Sequence, residues 1–113
     1  MPQPANQKRE LLPGTLDMLV LKTLASQSMH GYGIAQHIQR LSRDVLQVEE
    51  GSLYPALQRM RQKGWIRAEW RRTPNNQRAR YYTITPLGRT QLGEETSGFR
   101  ELMGAIARVM GTA

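Results

Sequence analysis

The sequence predicts a mainly α-helical chain carrying one small β-hairpin. Apolar residues recur at helical spacing in three segments before Lys63 and again after Pro86, whereas period-two alternation is confined to WIRAEWRR and ARYYTI, on either side of the turn-forming TPNNQ. A chain of 113 residues suits one domain with a modest core, which a partner subunit would help to stabilise. The divisions expected are an N-terminal arm over 1–12, a helical and hairpin domain over 13–85, and a last helix over 86–113.

The arm, MPQPANQKRE and the two residues after it, is polar with two prolines, so it reads as neither a membrane span nor a signal peptide. With no apolar run of about 18 residues elsewhere, the expectation is a cytoplasmic chain with no membrane partner. The absence of cysteine excludes disulfides and thiolate metal sites, and two histidines make a poor metal constellation. No cofactor and no metal are expected.

The first helix is TLDMLVLKTLASQ, residues 15–27, with Thr15 as N-cap, Asp17 in the first turn and apolar residues nearly all round, so it should be buried on more than one side. The second, HGYGIAQHIQRLS over 30–42, opens on two glycines and sets Ile34, Ile38 and Leu41 on one stripe, with Gln36, Gln39 and Arg40 outside it. VLQVEE reads as a short strand or an extended linker.

The third helix lies in GSLYPALQRMRQKGW, residues 51–65. With Ser52 as N-cap, Leu53, Tyr54 and Pro55 fill the first helical positions, where a missing N–H costs no hydrogen bond. Turning 100° per residue places Leu53, Ala56, Leu57 and Met60 on one face, and Tyr54, Pro55, Gln58, Arg61 and Gln62 on the other, with Ser52 and Arg59 at its edges. That outer face is rich in groups that bond phosphates and base edges. Gly64 ends the helix, and Glu49 and Glu50 favour its positive end.

Charge singles out the same region. Between Arg59 and Arg80 lie eight basic residues and only Glu69, so this stretch carries the whole net charge of +7. Such a segment suits a polyanionic partner, although a solvated basic face is the plain alternative. Three helices followed by a basic hairpin is the order of a winged helix-turn-helix, in which the third helix enters the major groove and the hairpin follows the backbone. On that reading Gln58 is the leading base-reading residue, since a glutamine amide pairs with adenine and Gln58 lies nearer the helix start than Gln62; Arg59 and Arg61 flank them. Arg72, Arg78 and Arg80 on the hairpin are assigned to the DNA backbone.

The segments GTLDMLVLKTL, HGYGIAQHI, GSLYPALQRMRQKGWI, EWRRT and RARYYTITPLGRTQL, in this order over residues 14–92, resemble the PadR family of bacterial transcriptional regulators. The resemblance implies a homodimeric repressor bound to an inverted repeat. It also implies that Tyr54 and Pro55 stand at the DNA-contacting helix start, that Arg78 and Arg80 belong to the wing, and that a C-terminal helix makes the dimer. Larger relatives carry a longer C-terminal domain, so this chain resembles the short subgroup with one final helix.

That helix is legible without the family. Thr85 as N-cap and Pro86 at the first position start it; Leu92, Phe99 and Ile106 recur every seven residues, with Leu102 and Val109 at neighbouring places and Met103 and Met110 beside them. Four glycines, at 88, 93, 98 and 104, weaken it by roughly 1 kcal/mol each relative to alanine, so packing must hold it, preferably from a second subunit. The alternative is packing on its own domain.

Other residues have plainer readings. Trp65 and Trp70 are expected to pack in the core and hairpin, His30 to sit in a turn and His37 on the surface. No Gly-rich phosphate loop, nucleophile motif or metal spacing supports an enzyme. A non-specific nucleic-acid or anionic-surface binding module shares the charge, but the basic residues sit on a helix and hairpin rather than on one amphipathic helix or a base-stacking sheet. Some relatives take planar aromatic effectors between aromatic side chains at the dimer interface; with only Phe99 in the final helix, a small-molecule effector site finds no support here.

Overall fold

The computed structural model describes residues 13–113; the N-terminal arm read over 1–12 lies outside the described residues. In chain order the elements are α1 (Pro13–Ser26), β1 (Met29–His30), α2 (Gly31–Leu41), α3 (Glu50–Gln62), β2 (Ile66–Arg72), β3 (Arg78–Ile84) and α4 (Pro86–Met110). The three strands form one antiparallel sheet in the order β1-β3-β2.

Helix α1 is the centre of the domain. Leu16, Val20, Leu21 and Leu24 are buried, and the buried Thr23 satisfies its hydroxyl by donating to the Leu19 carbonyl at 2.8 Å. The helix is described from Pro13 onward, so the expected N-cap Thr15 lies within it and does not cap it.

Helix α2 begins on a better cap than a plain turn residue would supply. His30 is the N-cap, and its Nδ1 accepts the Gly33 N–H at 3.0 Å. Ile34 and Ile38 enter the core as expected, but Leu41 is 68% exposed. Leu41 is the last helical residue, and the chain leaves through Arg43 and Asp44, both in the left-handed region, so nothing packs over it. Residues 45–49 of VLQVEE link α2 to α3 outside any helix, with Leu46 and Val48 half-buried against the core, while Glu50 already belongs to α3.

Helix α3 starts at Glu50 rather than after Ser52. The Glu49 carbonyl accepts the N–H groups of Ser52 and Leu53 at 3.0 and 2.9 Å, so Ser52 lies in the first turn and Pro55 within the helix. Proline here is not free: the Gly51 carbonyl loses its partner four residues on. The preference of serine for an N-cap is outweighed by the buried stripe of Leu53, Ala56, Leu57 and Met60, which anchors the whole helix. The other end follows expectation. Gly64 is left-handed at φ 76°, its N–H reaches the Arg61 carbonyl, and the Trp65 N–H reaches the Met60 carbonyl, both at 3.0 Å, which completes a Schellman ending.

The hairpin pairs Ile66 with Ile84 at its base and Arg72 with Arg78 at its tip. Residues 73–77 close it, with the Asn76 N–H bonded to the Thr73 carbonyl and Asn76 left-handed at φ 63°. Strand β1, which has no alternating pattern of its own, adds to the free edge of β3 through Met29 and Tyr82, and the Ser28 and Thr83 hydroxyls meet at 2.7 Å.

Helix α4 starts as expected, on Thr85 as N-cap and Pro86 in the first turn. Thr85 Oγ1 accepts the Gly88 N–H at 3.0 Å and approaches the carbonyls of Gly64 and Trp65 at 2.6 and 3.0 Å. Gly88 is buried, and a Cβ there would overlap the Trp65 carbonyl oxygen and stand 2.8 Å from Ile84 Cγ1. Gly88→Ala should therefore cost about 1–3 kcal/mol, as overpacking does. By contrast Gly51→Ala, in open space in the first turn of α3, should be neutral to about 1 kcal/mol stabilising. Urea unfolding of the two variants checks both.

One ion pair ties α1 to α3: Arg59 Nη2 lies 3.1 Å from Asp17 Oδ1. Burial pushes the Asp17 carboxyl above its ordinary range, and the Arg59 guanidinium, pulling downward, does not cancel the effect. The folded state thus keeps this proton to higher pH than the unfolded chain. The group's stabilisation is complete below the unfolded value of 3.8 and is lost as pH rises through the raised folded value. Relative to wild type, Asp17→Asn should therefore gain stability as pH rises from below 3.8 through the raised folded value, and keep that gain above it, read as the difference between their urea midpoints.

Candidate nucleic-acid interface

The buried stripe of α3 fixes what its opposite side can do. With Leu53, Ala56, Leu57 and Met60 sealed in the core, Ser52, Tyr54, Pro55, Gln58, Arg59 and Gln62 are exposed and Arg61 is half-buried. The ring of Tyr54, 46% exposed, leans on the start of α2, where Gly31 leaves room for it: a Cβ on Gly31 would lie 2.9 Å from the Tyr54 hydroxyl.

Two of the arginines on α3 are already engaged. Arg59 is committed to Asp17, and Arg61 Nη1 donates to Gln58 Oε1 at 3.1 Å. The amide oxygen of Gln58 keeps one lone pair and its NH₂ group both hydrogens, which is what a two-point contact with adenine requires.

The strand register sorts the hairpin into two faces. Ile66, Ala68, Trp70 and Arg72 on β2 lie opposite Ile84, Tyr82, Arg80 and Arg78 on β3, so the face that is core at its base continues outward as tryptophan and arginines. Arg72, Arg78 and Arg80 thus share one face. Trp65 packs half-buried against the core as expected, whereas Trp70 lies beyond it, with the guanidinium centres of Arg78 and Arg80 at 5.1 and 6.0 Å from its ring centroid. Arg72 Nη1 donates to the Asn76 carbonyl at 3.0 Å and braces the turn. On the other face Arg71 is paired with Glu69 and stands over Tyr81 at 5.3 Å.

The helix and hairpin surfaces meet around Tyr82. Burial raises the pKa of its phenol, while the charges of Arg80 and Arg61 lower it and Tyr54 raises it, so groups of α3 and β3 act on one point. Tyr82 was hidden from sequence reasoning inside the apolar pattern of YYTI; its register beside Ala68 turns it to the face that enters the shared core.

The last helix leaves its apolar side bare. Leu92 packs partly against the domain's own core, whereas Phe99, Leu102, Met103, Ile106, Val109 and Met110 are exposed. An open groove of about 530 Å³ runs between α1 and α4, lined by Met18, Gln91, Glu94, Glu95, Phe99 and Leu102 among others. Among the described residues no helix is long and apolar enough to cross a membrane.

Known proteins share this arrangement. Transcriptional regulator Rv3488 of Mycobacterium tuberculosis is 32% identical over 94 residues, covering 83% of this chain and 84% of its own. A PadR family transcription regulator from Clostridium difficile superposes with a TM-score of 0.72 at 26% identity, covering 84% of this chain and 97% of its own. A transcriptional regulator from Clostridium thermocellum, at 24% identity and a TM-score of 0.77 over 84% of this chain and 92% of its own, has the same fold. Residues 20–94 match the transcriptional regulator PadR-like family, and the chain, a winged helix with an added α-helix, belongs to that family.

Proposed function

We propose that this transcriptional regulator is a homodimeric repressor that binds an inverted-repeat operator, residues 13–85 forming the DNA-binding unit and 86–113 the dimerisation helix. The observation that carries the reading is the two-sidedness of α3, whose apolar side is sealed while Tyr54, Pro55, Gln58 and Gln62 stand bare. The bare side enters the major groove, with Gln58 reading a base and Ser52, Tyr54 and Gln62 nearer the backbone. Arg72, Arg78 and Arg80 lie along the phosphates.

Dimerisation follows from the apolar seam of α4. Phe99, Leu102, Met103, Ile106, Val109 and Met110 expose more contiguous apolar surface than a small domain leaves in water without a partner, and a two-fold axis lets one seam cover its own copy. Two half-sites then bind with the advantage of linkage.

Gel shift of duplex DNA against single-stranded RNA and anionic vesicles tests the class of partner; preference for vesicles or RNA would refute the DNA reading. Ile106→Glu should shift sedimentation at micromolar concentration from dimer to monomer and weaken operator binding with it. Gln58→Ala should cost roughly 1–3 kcal/mol on the operator and relax one or two base positions, with random-sequence affinity almost unchanged. Binding-site selection with this variant is the check: an unchanged consensus at unchanged affinity moves the readout to Arg59 or Arg61.

A further inference from the structure

Trp70 lies between the sealed base of the hairpin and its tip, and it is 59% exposed. Its neighbours are guanidinium groups. Arg80 is its direct partner in the register and Arg78 the diagonal one, the two positions from which a cross-strand side chain can reach a large ring. Both guanidinium centres lie within the roughly 6 Å over which a cation is attracted to an indole face. Arg80 Nε is buried without a hydrogen-bond partner, so this part of the group is held by packing. Among the described residues neither arginine has a carboxylate partner. The opposite face differs in this respect, since Arg71 over Tyr81 is neutralised by Glu69.

Resting on the DNA-binding reading above, we infer that Trp70 is a positioning residue of the wing, its indole holding the guanidinium groups of Arg78 and Arg80 ready for the phosphates of duplex DNA. A free arginine loses rotamer freedom when a phosphate fixes it, and a planar guanidinium already stacked on a ring has less to lose. An attraction to the π face uses up no conventional hydrogen bond, so the terminal N–H groups of the two guanidiniums stay available to a phosphate. The aligned cations then face a regularly charged backbone, and the contact carries no sequence preference.

The test uses Trp70→Leu, which keeps apolar bulk without a π face, and Trp70→Phe, which keeps a face. Each is compared with the Arg78→Ala/Arg80→Ala double variant and with the triple variant that adds Trp70→Leu. Binding to labelled operator and random duplexes is followed by anisotropy over a salt series. Trp70→Leu should weaken both duplexes roughly tenfold, with Trp70→Phe recovering most of the loss. The salt slope of Trp70→Leu should fall toward that of the double variant, by up to about 2, and the triple variant should bind no more weakly than the double. An equal loss from Trp70→Leu in wild-type and double-variant backgrounds would show that the ring acts independently of the arginines, and wild-type affinity in Trp70→Leu would show that it does not act at all. Either result overturns the inference and leaves the DNA reading standing. Wild-type protein that binds no duplex overturns both.

Discussion

The carbonyl of Trp65 is the point on which the functional surfaces hang. It accepts the Thr85 N–H at 3.0 Å and is approached by the Thr85 hydroxyl at the same distance, while Gly88 leaves it the space a Cβ would occupy. One residue earlier, left-handed Gly64 ends α3 and offers its own carbonyl to the same hydroxyl. The end of α3, the roots of both hairpin strands and the start of α4 are therefore fixed to one another within a few residues. In the proposed role, a helix in the groove and a hairpin along the backbone act together only if their relative position is set, and this junction sets it with two peptide units and one threonine.

The division of charge follows from that geometry. Helix α3 contributes two arginines, of which Arg59 is paired with Asp17 while Arg61, bonded to the neutral amide of Gln58, keeps its charge; the hairpin, with five arginines against Glu69, carries the larger share of the positive field. The pair between Arg59 and Asp17 bridges α1 and α3 without favouring the charged carboxylate, since partial burial costs it more than the guanidinium returns. On the proposed reading, the free polar groups of α3 and the guanidinium groups of Arg78 and Arg80 divide base reading from phosphate holding.

Much of this was legible in the sequence, for identifiable reasons. The buried stripe of α3, the Gly64 ending, the TPNNQ turn and the Thr85-Pro86 start are each specified by local chemistry that tertiary structure had no cause to override. The starts of α1 and α3 were misplaced because serine and threonine are acceptable both as caps and within a first turn, and only packing decides between them. Leu41 obeyed the period of its helix but lost its cover when the chain turned away. Strand β1 was invisible because two residues show no alternation and exist as a strand only by pairing with β3. The ion pair of Arg59 joins residues 42 positions apart, which no local pattern reports.

Strand β1 also bears on how the chain comes together. Within the hairpin and each helix the hydrogen bonds join near neighbours, whereas the Ser28 and Thr83 hydroxyls join residues 55 apart and Arg89 reaches the Ala25 carbonyl across 64. Such a closure is entropically mild, since each doubling of a loop adds only about 0.6 kcal/mol. The two-residue strand is thus the latch of the winged unit. It clasps the start of α2 to the outer edge of the hairpin, and through His30, whose ring lies 5.3 Å from that of Tyr81, it joins a helix cap to the sheet in a single cooperative body.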